Sequence, residues 1–266
     1  MNSTIWDRVW RQESENARPS GYAAEYEDAA WGAVRALLPA GDFRFLDAGC
    51  GAGEFCFRLA AERPASEVLG VDASGPAVER AIRRARRQAS GSGREPALEA
   101  AAGARSPDFL LADLKQLALP PERFDLVLSL GVVCYFDPPG LDRAFAEFRR
   151  VLAPGGSLIV GVPNRWNLPH TLHKAWAGPR YEYGPERSWS GSGLARLLRE
   201  RGFEDVRTAG YDPAYGLLRL GRWKVLDLAG RAARKLAPGL DRMSGGAFSR
   251  SFGFYVLAAG RKPRLT

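Results

Sequence analysis

Six positions in the first half of the chain combine charge and bare backbone at spacings that could do chemistry. Asp47, Gly49, Gly51 and Gly53 fall within FLDAGCGAGEF (Phe45–Phe55), Asp72 closes EVLGVD, and Asp113 stands in LLADL. Glycines at every second position after an apolar run let the backbone lie against a ligand. A dinucleotide turn reads G-x-G-x-x-G after a strand. Here the third glycine falls one residue early, and Glu54 stands where the dinucleotide pattern wants glycine. With Asp47 on the same turn, two acids would repel a pyrophosphate. No Gly-Lys-Ser/Thr follows, which excludes a P-loop.

A nucleotide with positive charge and no phosphate suits the turn better. S-adenosylmethionine, with a sulfonium and an ammonium, is such a ligand, and Asp47 can attract the ammonium directly or through water. Taken alone, the turn equally fits a tight bend capped by Asp47. The later acids shift the balance. Asp72, 19 residues past Gly53, can accept from both ribose hydroxyls. Asp113 can accept from the adenine amino group, with Leu114 beside the ring, and Leu130-Gly131 can border the methionine part. Each acid alone could cap a helix; three at successive strand ends beside a glycine turn are harder to explain that way.

The elements that must position these residues alternate. Phe43–Ala48, Glu67–Asp72, Phe109–Asp113, Phe124–Leu130, Ser157–Val162, Phe203–Tyr211 and Phe252–Ala259 read as strands. Helices are expected over much of residues 1–40, from near Gly53, from Pro76, over Leu141–Leu152 and over Leu194–Arg201. Ser90–Ser106 reads as a loose connection and 163–190 as an irregular loop. Continuous apolar runs separated by helices argue for a parallel sheet covered on both faces. Right-handed crossovers then bring the first strand ends to one crevice. The expectation is one α/β domain over 1–266: a helical cap (1–41), a cofactor-binding core (42–211), a basic amphipathic insertion (212–250) and a final strand (251–262).

FLDAGCGAGEF, VLGVDAS, FLLADL, FDLVLSLGVVCYF and RRVLAPGGSLIVGVPN together resemble the class I S-adenosylmethionine-dependent methyltransferases of the small-molecule type. The resemblance covers most of 43–211 and the last strand. It implies a Rossmann-like seven-stranded, mostly parallel sheet with an antiparallel last strand and helices on both faces. It also implies that Asp47, Gly49, Gly51 and Gly53 bind the methionine end, Asp72 the ribose, and Asp113 with Leu114 the adenine, Ala73 and Leu130 completing the cofactor set.

Methyl transfer from a sulfonium is an in-line displacement with a good leaving group, so alignment of the acceptor matters most. A base is needed only for an acidic acceptor such as a hydroxyl. Tyr135, His170 and His173 are the candidates. H-T-L-H could set both histidines on one side of a helical turn, or be an ordinary polar loop. No further ligands accompany them, so no metal is expected. Cys134-Tyr135-Phe136 stands after strand four, where enzymes methylating adenine or glutamine nitrogen tend to carry Asn-Pro-Pro-aromatic. Hydroxyl, carboxyl and carbon acceptors stay open. The aromatic segments Trp6–Tyr26 and Trp166–Trp189 are expected to close over the site. Tyr181, Tyr183 and Trp189 would line an acceptor pocket or pack a lid onto the domain.

The 266 residues carry a net charge of +8, which favours anionic partners. Residues 216–242 hold seven Lys or Arg against two Asp, five of those net charges. Val225, Leu228, Ala229, Ala232, Ala233 and Leu236 share one face there; Lys224, Asp227, Arg231, Arg234 and Lys235 share the other. Such a helix either packs its apolar face on its own domain or lies on an anionic membrane. Scattered arginines without a recognised binding module make nucleic acid an unexpected partner. The first residues show no leader pattern and no segment reads as a spanning helix. Three scattered cysteines suit a reducing cytoplasm, with a peripheral place on the inner face of a membrane left open. The expected activity is O- or C-methylation of a small lipid, quinone, glycan or secondary-metabolite intermediate. The alternatives are an RNA or protein methyltransferase, or a non-catalytic domain that binds the cofactor as a sensor or partner.

Overall fold

A computed structural model describes residues 3–15, 21–90, 105–181, 183–218 and 224–264. Of the expected loose connection, residues 91–104 lie outside that description. So do 219–223 of the basic segment and the side chains of 224–227. Strands β1 (Arg44–Ala48), β2 (Glu67–Asp72), β3 (Asp108–Leu111), β4 (Phe124–Leu130), β5 (Leu152–Pro163), β6 (Glu204–Tyr211) and β7 (Tyr255–Arg261) form one sheet in the order β3-β2-β1-β4-β5-β7-β6. The sheet is mostly parallel with the last strand antiparallel, and helices surround it. The described helices are α1 (Ser3–Glu15), α2 (Gly21–Arg35), α3 (Glu54–Glu62), α4 (Gly75–Ala89), α5 (Pro138–Val151), α6 (Leu168–Ala177), α7 (Gly191–Glu200), α8 (Tyr215–Leu218), α9 (Lys224–Ser244) and α10 (Ala247–Phe252).

The chain divides into two compact units, a grouping different from cap, core and insertion. The first comprises Met1–Ala17, Leu38–Ile159 and Arg261–Thr266; the second comprises Arg18–Leu37 and Val160–Gly260. In the first unit β1 pairs in parallel with β2 and β4, setting Asp47 opposite Gly70 and Leu128, and β2 pairs with β3, setting Asp72 opposite Leu111. Phe45, Leu46, Leu126, Leu128, Phe145 and Phe148 are buried and form its core. Helix α4 carries Pro76 in its first turn, where a missing N–H costs nothing. It buries Ala77, Val78 and Ala81 and leaves its arginine-rich face outward. Helix α5 begins where the Asp137 side chain accepts from Gly140 N at 2.9 Å, an N-cap.

Several sequence expectations are corrected. Segment 163–190 is not wholly irregular: Asn167 caps α6, accepting from His170 N, and Pro169 sits in the first turn. Strand β5 begins at Leu152, ahead of the expected Ser157, and takes in Pro154-Gly-Gly156, where Gly155 N donates to Lys262 O at 2.9 Å and Lys262 N to Gly156 O at 2.8 Å. The last strand begins at Tyr255 because 247–252 is helical. Strand β3 stops at Leu111, so Asp113 stands two residues beyond it.

Candidate active site

The turn between β1 and α3 is held from below by β2. Gly49 N and Cys50 N both donate to Val71 O, at 2.7 and 3.0 Å. Gly51 N donates to Asp72 Oδ2 at 2.9 Å, and Ser74 N to Asp72 Oδ1 at 2.8 Å. Gly49 (φ 95°) and Gly51 (φ 54°) adopt backbone conformations that side chains strain. They also admit the protein's own neighbours. A Cβ at Gly49 would lie 2.2 Å from Val132 Cγ2, and one at Gly51 would lie 2.5 Å from the Trp10 ring. Bare backbone at these two positions therefore serves the packing of Val132 and Trp10 on the turn.

Asp47 is 2% exposed. Among the described residues no lysine or arginine pairs with its carboxylate; Cys56 Sγ lies 3.6 Å away. Burial pushes the Asp47 carboxyl up to about 7, the Cys56 thiol draws it down, and nearby Asp72 pushes it up again. Burial also raises Asp72, against the pull of the Ser74, Gly51 and Ala73 N–H groups, and Asp7 raises it further. Glu54 behaves differently. Burial would raise it, but Arg58 at 2.6 Å and Arg84 at 2.8 Å hold it below the ordinary carboxylate range. So Glu54 is spent on its own arginines, and Asp47 alone carries the turn's negative charge. A buried carboxylate lacking a cation, beside an acid with acceptor capacity left, fits a cationic phosphate-free nucleoside.

Helix α1 lies against this turn within the same unit. Trp10 packs on Gly51, Asp7 accepts from Ser74 Oγ at 2.7 Å, and the Trp6 ring meets Tyr135 edge-on with centroids 5.0 Å apart. Sequence reasoning singled out the aromatics but missed Asp7. The signal was its place on the helical turn between Trp6 and Trp10. Asp113 is exposed and paired with Lys115 at 3.2 Å. The Leu114 side chain is buried in the core rather than open to a ring. Ala73 and Leu130 are half-buried at the ends of β2 and β4. Tyr135 is half-buried in a single 3-10 turn, Val133–Tyr135, after β4.

In the second unit the two histidines share α6. His170 is 1% exposed, with Nε2 3.0 Å from Glu186 Oε1, an oxygen that also takes Lys174 Nζ at 2.9 Å. Burial would raise Glu186, but His170 and Lys174 hold it low. His173 is half-buried, and its ring and that of His170 both border Tyr181, at 6.1 and 6.2 Å. Tyr181 in turn meets Tyr183 at 5.7 Å, so these aromatics pack on one another. Trp189 N donates to Pro163 O at 3.0 Å. A separate cavity of about 1000 Å³ lies along α9, lined by Glu25, Asp28, Ala29 and Ala33 of α2, Leu218 of α8, and Leu228, Arg231, Lys235 and Ala237 of α9. Arg234 closes one side, paired with Asp212 at 2.6 Å and with Glu25.

Among the described residues no cluster of three or more His, Cys, Asp or Glu could hold a metal ion, and no helix is long and apolar enough to cross a membrane. A sequence model of the family described as "Methyltransferase domain" matches residues 46–160. The chain is 30% identical over 192 residues to "Probable thiol methyltransferase 2" of Arabidopsis thaliana, covering 70% of this chain and 71% of that protein. It is 32% identical over 131 residues to the ubiquinone biosynthesis O-methyltransferase of Mesorhizobium japonicum, covering 49% of this chain and 45% of that one. The crystal structure of a SAM-dependent methyltransferase from Thermotoga maritima shares the fold. Its TM-score is 0.60 at 21% identity, over 97% of this chain and 99% of that one.

Proposed function

Because the chain belongs to the class I S-adenosylmethionine-dependent methyltransferases, we propose that it methylates an oxygen or carbon of a lipophilic small molecule, such as a quinone, lipid or secondary-metabolite intermediate. What supports the acceptor class is the likeness to the ubiquinone biosynthesis O-methyltransferase, a relative named for such an acceptor. Within the second unit, a cavity of about 1000 Å³ with both apolar and charged walls has the size of a small-molecule pocket.

When bound, the cofactor supplies an electrophilic methyl group on a sulfonium. The chain's residues do the rest. Asp47 draws the ammonium into the turn, because a buried carboxylate is relieved by a cation. Asp72, steadied by Gly51 and Ser74, keeps lone pairs for ribose hydroxyls. Asp113 and the backbone at Leu114 border the adenine. Trp10 and Trp6 exclude water from the turn. Tyr135 orients the acceptor and takes up its proton where the acceptor is a hydroxyl. His170, buried against Glu186, holds α6 in place rather than meeting substrate. His173, more open, is the second candidate for acceptor contact.

The test is transfer of labelled methyl from S-adenosylmethionine into fractionated cell extract. Counts in the organic-soluble small-molecule fraction support the reading. Counts confined to RNA or protein would sink it.

A further inference from the structure

Helix α9 does not pack with the face its sequence suggests. The residues turned inward are Gly230, Arg234, Ala237 and Asp241, spaced for one side of a helix. Arg234 is tied to Asp212 and Glu25, and Asp241 accepts from Ser249 N at 2.8 Å. The large apolar side chains of its second half point the other way: Leu236 is 65% exposed and Met243 87%. These two share one outward stripe, with Lys235 and Arg242 along its flank; both cations are exposed, Lys235 at the rim of the cavity. Beside it α6 exposes Leu168, Leu172 and Trp176, four residues apart on one stripe. Both helices contact the single-turn α8. Exposed apolar surface of this extent marks an interaction site.

We infer that the outward face of α9 seats on an anionic lipid bilayer, with α6 adding an interfacial tryptophan. Charge decides the occupant. A second copy of this chain meeting the same face would set Lys235 and Arg242 against their own counterparts, which repel. Anionic headgroups meet that flank with the opposite sign, while Leu236 and Met243 enter the acyl boundary. Tryptophan favours that interface. Among the described side chains of α9 the one acid, Asp241, faces inward. The inference rests on the reading of a lipophilic acceptor, which such a surface would bring within reach.

The test is flotation of the whole protein with vesicles of phosphatidylcholine alone or mixed with phosphatidylglycerol. The wild type floats with the mixed vesicles, less as salt rises, and not with the neutral ones. Lys235→Glu with Arg242→Glu, and separately Leu236→Glu with Met243→Glu, each weaken partitioning by at least about tenfold. All four positions are exposed, so melting temperature and cofactor affinity stay unchanged. Wild type left in the soluble fraction, or charge reversal without effect, overturns the inference. So does a dimer in sedimentation that Leu236→Glu with Met243→Glu dissolves while no vesicle binding occurs. Vesicle binding in a protein that transfers methyl only to RNA or protein would sustain this surface and overturn the acceptor reading instead.

Discussion

The Asp72 carboxylate bonds the glycine turn and the start of α4 at once: Oδ2 accepts from Gly51 N at 2.9 Å and Oδ1 from Ser74 N at 2.8 Å. One side chain thereby fixes the distance between the loops after β1 and β2 and still has lone pairs to spare. Asp72→Ala loosens the turn and, on the proposed reading, removes the ribose contacts as well. We expect cofactor affinity to fall by roughly 1.5–3 kcal/mol for each charged hydrogen bond lost, with a lower melting temperature. Calorimetric titration and thermal unfolding read the two effects; unchanged affinity would mean the ribose is held elsewhere.

Asp47 gives binding a pH dependence. Its carboxyl, pushed up to about 7 by burial, is largely protonated at pH 6 and largely ionised at pH 8. A bound cation favours the ionised form, so binding below pH 7 expels a proton. Affinity should rise with pH up to about 7 and level off above. Titrations in buffers of different ionisation enthalpy count that proton; Asp47→Asn should abolish it. The sign for stability is opposite. The folded pKa is raised, so the contribution is full below the unfolded value, is lost as pH rises through about 7, and makes Asp47→Asn more stable than wild type at neutral pH without ligand.

Tyr135 meets Trp6 at the exit of β4. Tyr135→Phe keeps that packing and removes the hydroxyl. If the acceptor is a hydroxyl, turnover should drop by about 10²–10⁴, the usual range for a lost acid or base, while the cofactor dissociation constant holds. Full turnover would assign proton transfer to another group. His170→Ala, in contrast, should lower the melting temperature by removing the buried contact between His170 and Glu186.

Arg234 joins α9 to the end of β6 and to α2 through Asp212 and Glu25. Arg234→Ala strands the buried Asp212 carboxylate. We expect a loss of about 3 kcal/mol, the low end for a broken buried pair because Arg234 is itself partly exposed. Denaturant unfolding measures it. Arg234→Ala with Asp212→Asn should recover much of the loss; no recovery would place the effect elsewhere.

The sheet and the cofactor turn were legible because their signals are local: apolar runs of strand length, glycines at fixed offsets, acids at strand ends. Glu54 misled because its sign was visible and its partners, Arg58 nearby and Arg84 thirty residues on, were not. Residues 163–190 hid α6 because Pro169 looks like a breaker, yet in a first turn it starts a helix behind Asn167. For α9 the amphipathic pattern was plain but its orientation was not. Gly230 and Ala237 face inward because small residues admit close packing, and Arg234 follows them to reach Asp212; that choice is tertiary and leaves no mark in the periodicity. Asp7 was missed for the same reason, since its partner Ser74 is remote in sequence.

The central claim is that Asp47 holds the cationic end of the cofactor and Asp72 its nucleoside. The most direct measurement is calorimetric titration of S-adenosylmethionine and of plain adenosine into wild type, Asp47→Asn and Asp72→Ala at pH 7.5. The account predicts that Asp47→Asn weakens S-adenosylmethionine at least about tenfold, as loss of a charged contact should, and spares adenosine, whereas Asp72→Ala weakens both. Equal affinity of Asp47→Asn and wild type for S-adenosylmethionine would contradict it.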